Sequence, residues 1–121
     1  MKMLPPQNID AEKSVLGSIL VDSSVMYDVI NLIKPDDFYR NDHELIFSAM
    51  CQLFNQNIPI DVITVSEKLT TTGELDKAGG LQYLISLTED VAIVSNEVQY
   101  VNIILNKSIQ RKLIKAAGDI A

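Results

Sequence analysis

Cysteine is nearly missing from this chain of 121 residues: Cys51 is alone and lies in the apolar run around Met50 and Leu53. A disulfide framework and a cysteine-based metal site are therefore excluded, and the usage suits a reducing cytoplasm. Histidine is equally sparse, with His43 the single example. The 4 prolines and 5 glycines are too few and too scattered for a disordered or fibrous chain. Basic side chains are in the minority, 10 against 16 acidic, giving a net charge of -6. That balance disfavours wrapping a nucleic-acid backbone, which needs clustered Lys and Arg to displace counterions, and it favours basic partners. No stretch approaches the roughly 20 apolar residues that span a bilayer. The opening MKMLPPQNID has no apolar core for secretion, so membrane insertion and export are set aside and a cytoplasmic location is expected.

What is present is helical patterning over one domain's length, enough to bury about two thirds of the unfolded surface. After the stiff Pro5-Pro6 leader, Asn8 or Asp10 caps a helix with Ala11, Val15, Leu16, Ile19 and Leu20 on one face. Gly17 inside it suggests a close helix crossing. Ser23 or Ser24 opens a second helix with Met26, Val29, Ile30 and Ile33 inward, and Pro35 stops it. Asp36 to Tyr39 reads as a turn in which Asp36 or Asp37 accepts backbone hydrogens while Phe38 and Tyr39 cover the core. A third helix starts near Asn41 or Asp42 and runs through Ile46, Phe47, Met50, Leu53 and Phe54. The segment NIPIDVITVSEKL alternates like a strand. Asp61 as a cap, and Thr64 with Glu67 as a capping box, instead favour a helix over Val62 to Leu69. TTTGEL and DKAGG supply turns, and Leu81, Leu84, Ile85 and Leu87 form the next stripe.

The last segment, from Ser95 or Asn96, runs without a breaker and is too long for one more packing helix unless it leaves the globule. Val98, Val101, Leu105 and Ile109 make one stripe, widened by Tyr100 and Ile104. A break near Lys107 and Ser108 would instead give two arms of a hairpin, the second ending early. The division expected is a globule over 1–94 and the start of a hairpin over 95–121, as in a fragment of something longer. Lys107, Arg111, Lys112 and Lys115 are the only basic concentration, which reads as a solvated face, since aromatics do not interleave with it.

Chemistry is harder to find. His43, near Asp36, Asp37, Asp42 and Glu44, lacks a nucleophile and an orienting partner in any recognisable pattern, so packing at a helix start outweighs catalysis. Its spacing to Asp36 and Asp37 matches no recurrent metal site. Gly79 and Gly80 lack the GxxxxGK[ST] of a phosphate loop and read as a turn.

The blocks PPQNIDAEKSVLGSIL, IKPDDFYRNDHELIFSAM, IPIDVITVSEKL, GGLQYLISL and SNEVQYVNIILNKSIQRKLIKAA together resemble the amino-terminal domain of bacterial and phage replicative ring helicases, the DnaB-like family. The resemblance covers almost the whole chain, and its specificity comes from five blocks in one order. It implies an all-α fold, a multi-helix globule followed by a long helix that begins a helical hairpin. It implies no catalytic residues, cofactor or metal here, with ATP and Mg²⁺ serving a motor domain beyond the chain. It also implies self-association through the hairpin, a dimer that becomes a hexameric collar, and docking of the carboxy-terminal domain of primase or of a loader. The matching positions are Pro5, Pro6, Ala11, Glu12, Leu16 and Gly17; Asp37, Phe38, Tyr39, His43 and Ile46; Asp61, Thr64, Val65 and Leu69; Gly79, Gly80, Tyr83 and Leu84; and Asn96, Tyr100, Lys107, Ser108, Arg111 and Leu113. Self-association is expected on Tyr100, Ile104, Leu105 and Ile109. Where the family often has a proline-bearing turn, this chain has EDVAIVSN, Glu89 to Asn96, which fits a phage or plasmid-borne helicase as well as a bacterial one. A stand-alone adaptor or loader-like regulator using the same surface is the alternative.

Overall fold

A computed structural model describes residues 4–89 and 96–120; EDVAIVSN lies mostly outside them. Every regular element among the described residues is helical: α1 (Ile9–Val21), α2 (Val25–Val29), a 3-10 turn (Pro35–Asp37), α3 (Asn41–Asn55), α4 (Val62–Thr71), α5 (Gly80–Glu89) and α6 (Glu97–Ile120). None of these helices is long and apolar enough to cross a membrane.

Local chemistry accounts for the boundaries. Asn8, not Asp10, caps α1, its Oδ1 accepting the Ala11 N–H at 2.9 Å. Before α2 the bracing group is Asp22, whose Oδ1 accepts from the backbone and hydroxyl of Ser24 at 3.0 and 2.6 Å. That helix is only 5 residues long and ends at Val29 with Ile30 as its C-cap, so the expected helix through Ile33 to Pro35 is not formed and Pro35 instead starts a separate 3-10 turn. The C-terminus of α3 is closed by Asn57 at φ 59, with Ile58 N–H donating back to Leu53 O at 2.9 Å. Gly73 at φ 75 closes α4 the same way, Glu74 N–H reaching Leu69 O at 2.8 Å. At the start of α4 the capping box joins Asp61 to Thr64, Thr64 N–H donating to Asp61 Oδ1 at 2.8 Å and Asp61 N–H to Thr64 Oγ1 at 2.9 Å. The expected Thr64–Glu67 box is thus displaced by one helical turn, since Thr64 occupies the N3 position and not the cap.

The core is continuous. Val15, Leu16 and Ile19 of α1, Met26 and Val29 of α2, Ile46, Phe47 and Met50 of α3, Val65 and Leu69 of α4, Leu84 of α5 and Val101 and Ile104 of α6 are all buried in one cluster. Gly17 is buried within α1. One alternative left open by the sequence is decided here. The final helix does not break at Lys107 and Ser108 but continues for 24 residues. The first half of α6 lies along α1, α2 and the 3-10 turn and completes their core.

Candidate functional site

Two polar joints tie the helices together, and both are built from residues picked out in the sequence. The first joins α1, α3 and α5. Glu12 falls on the apolar face of α1, three and four residues before Val15 and Leu16, and is 1% exposed. His43 stands in the same relation to Ile46 and Phe47 on α3 and is 0% exposed. Folding brings His43 Nδ1 to 2.7 Å from Glu12 Oε1 and His43 Nε2 to 2.6 Å from the Tyr83 hydroxyl. The other Glu12 oxygen accepts Tyr39 N–H at 2.7 Å, which fixes the chain just ahead of α3. Burial pushes the Tyr83 hydroxyl up, so it stays protonated beside Nε2, and both ring nitrogens of His43 have a polar partner. Arg40 sits over the Tyr83 ring at 5.4 Å and is held by Asp42, whose hydrogen bond raises the guanidinium further above its ordinary value.

Carboxylate, imidazole and hydroxyl in a row have the composition of a proton relay, yet the surroundings deny that use. A relay needs an activated terminal nucleophile facing open space. Here the imidazole has no exposure, both its nitrogens are engaged, and the terminal hydroxyl is harder to ionise than an ordinary tyrosine. Of the two aspartates weighed with His43, Asp36 is exposed and Asp37 faces α6. Among the described residues no three His, Cys, Asp or Glu side chains converge as a metal site. Gly79 and Gly80 adopt φ 101 and 80 at the start of α5, and a Cβ at Gly79 would come within 2.8 Å of the Tyr83 side chain. Gly79 therefore lets Tyr83 lie against the turn, while Gly80 has open space where a Cβ would stand and serves the turn through its positive φ.

The second joint ties α6 to the 3-10 turn. Asp37 Oδ2 accepts Lys34 N–H at 2.8 Å, and Asp37 Oδ1 accepts the Ser108 hydroxyl at 2.7 Å. Burial raises the Asp37 carboxyl, but Ser108, the Lys34 N–H and Lys112 outweigh it and hold the carboxyl below its usual range. Arg111 donates to Pro6 O at 2.8 Å and to Asp37 O at 2.6 Å, and lies 5.5 Å over the Tyr39 ring. The basic concentration is thus partly an internal clamp. Lys107 is half-buried on the same stretch, and the exposed Asn96 begins the helix, its carbonyl accepting Tyr100 N–H at 2.9 Å.

The four residues expected to self-associate do not share one exposed face. Ile104 is 1% exposed and belongs to the core, so it is withdrawn from that surface. Tyr100 and Leu105 are half-buried against the same core, and only Ile109, 52% exposed, stands free. Val101, Ile104 and Ser108 are what α6 turns inward; Ser108 continues the i, i+3, i+7 pattern without being apolar, so hydropathy hides it. Other exposed apolar side chains on α6 are Val98 near its start and Leu113 and Ile114 further on. Ile114 also borders a groove of ≈ 480 Å³ with Leu4, Pro5, Pro6, Arg111 and Lys115.

Such a globule, with a long terminal helix clamped at its root, is shared with known proteins. Residues 4–106 match the model of the DnaB-like helicase N terminal domain. The chain belongs to that family. It is 41% identical over 118 residues to the replicative DNA helicase DnaC of Bacillus subtilis (98% of this chain, 26% of that protein). It is 36% identical over 118 residues to DnaB of Geobacillus stearothermophilus (98% of this chain, 26% of that protein). The chain therefore spans about a quarter of the curated relatives it matches. A crystal structure of the N-terminal domain of DnaB from Mycobacterium tuberculosis superposes with a TM-score of 0.93 at 34% identity, covering 97% of this chain and 84% of that one. The N-terminal domain of Helicobacter pylori DnaB, described with its interactions with primase, gives a TM-score of 0.76 at 27% identity over 92% of this chain and 86% of that one. Glu12, Asp37, Tyr39, His43, Tyr83, Ser108 and Arg111, expected from the sequence as matches to the family, meet in the two joints described above.

Proposed function

We propose that the chain is the non-catalytic amino-terminal collar domain of a cytoplasmic replicative DNA helicase. In this reading it associates with copies of itself through the outer half of α6, organises the hexamer, and docks the carboxy-terminal domain of primase or a helicase loader during DNA replication. ATP and Mg²⁺ belong, in this reading, to the motor domain of the parent. The observation that carries the reading is the TM-score of 0.93 to a DnaB N-terminal domain, joined to the exposed apolar residues on the part of α6 that outruns the globule. Neighbouring folds described with primase interactions support the partner. The domain's contribution to unwinding would be geometric, keeping neighbouring motors in register and raising the local concentration of primase. The adaptor alternative uses the same surface and gains no observation of its own.

The test is a calorimetric titration of the chain with the carboxy-terminal domain of its own system's primase, with light scattering recording mass. A dimeric or larger species that binds saturably is expected. A monomer that gives no heat with primase overturns the proposal.

A further inference from the structure

Apolar packing holds α6 only through its first half. Ile104 is the last fully buried apolar residue, and every apolar side chain described from Ile109 to Ala117 is exposed. One turn past Ile104 the attachment changes character: Ser108, 1% exposed, donates to the carboxylate of Asp37, 5% exposed. Lys112 reaches the same oxygen at 3.3 Å, though that contact is largely open to solvent. Asp37 is itself held, because its second oxygen accepts the backbone N–H of Lys34 in a turn that begins with a proline. The carboxylate is therefore a bracket with one arm on the globule and one on the helix.

An apolar stripe resists separation but tolerates rocking and sliding, since the hydrophobic effect has no direction. A hydrogen bond to a buried carboxylate is directional, and breaking it leaves a buried charge short of a partner. We infer that Asp37 and Ser108 are positioning residues that set the direction in which α6 leaves the globule, and hence where Ile109, Leu113 and Ile114 are presented to a second copy. The inference rests on the collar reading for its purpose, not for its geometry. Arg111, which ties the next turn to Pro6 O and Asp37 O, reinforces the bracket from the other side.

Pulsed electron–electron distance measurements on the whole chain test it. Cys51 is replaced by serine, although burial already pushes its thiol up to about 11. Spin labels are placed at the exposed Glu67 and Lys115, with a second pair at Glu67 and Asn102, and labelled chain is diluted into unlabelled chain so that only intramolecular pairs are read. Ser108→Ala and Asp37→Asn are expected to broaden the Glu67–Lys115 distribution about twofold while leaving Glu67–Asn102 and the helical content unchanged. Ile104→Val, which loosens the core under the same helix without touching the bracket, is expected to leave both distributions narrow. Unchanged widths in Ser108→Ala, or equal broadening in Ile104→Val, overturn the inference; if Asp37→Asn does not fold, Ser108→Ala decides alone. A parent chain with a narrow distribution that neither self-associates nor binds primase refutes the collar reading and leaves the bracket supported.

Discussion

Both carboxylate oxygens of Glu12 are committed inside the globule, one to the His43 ring and one to Tyr39 N–H, and the far side of the ring is committed to Tyr83. A buried polar chain of this kind is stable only when every member is satisfied, because an unpaired group in a low-dielectric interior bears its full desolvation cost. Tyr83→Phe keeps the ring beneath Arg40 but removes the hydrogen-bond partner of a nitrogen with no access to water. It should therefore destabilise the domain by about 1–3 kcal/mol, read as an earlier midpoint in urea. A midpoint equal to the parent's would mean that Nε2 is satisfied some other way. Of this polar chain the sequence marked His43 as a packing residue at a helix start, and it brought in Glu12 and Tyr83 only through the family resemblance. Their pairing was not legible, since 31 residues separate Glu12 from His43 and 40 separate His43 from Tyr83.

At the scale of the element, caps decide where helices start and packing decides which face turns inward. Asp61 and Thr64 satisfy each other's backbone N–H groups at the head of α4, a segment whose β-branched Val62, Ile63, Thr64 and Val65 otherwise favour extended chain. Asp61→Ala should cost about 0.5–2 kcal/mol, with the loss of amide-exchange protection concentrated in the first turn of α4. Uniform loss over the whole domain would show that the cap is not the site of the effect. Cap residues and apolar spacing are local, which is why α1, α3, α4 and α5 could be read from the sequence almost to their ends. The inward face of α6 could not. Seven apolar or aromatic candidates from Val98 to Ile109 are spread around the helix, and the choice among them was made by the surfaces of α1, α2 and the 3-10 turn, with a serine as one of the buried contacts.

For the whole molecule the consequence is a helix with two jobs in succession along its length. Its first half closes the core, so a charge at Ile104 must be buried, and Ile104→Glu should unfold the chain and not merely separate copies of it. Its second half carries Ile109 at 52% and Leu113 at 65% exposure, where a charge costs the isolated fold little. Leu113→Glu should therefore leave the thermal midpoint within the usual small range of a surface change, while weakening the proposed self-association about tenfold or more, because an interface anchor becomes a charge that must be desolvated. Sedimentation across a concentration series, set beside a melting curve for the same variant, separates the two effects. Association constants equal to the parent's would place the contact between copies elsewhere on the domain. An Ile104→Glu variant that stayed folded but monomeric would return the interface to the inner stripe, and with it would require α6 to lie differently on α1 than it does here.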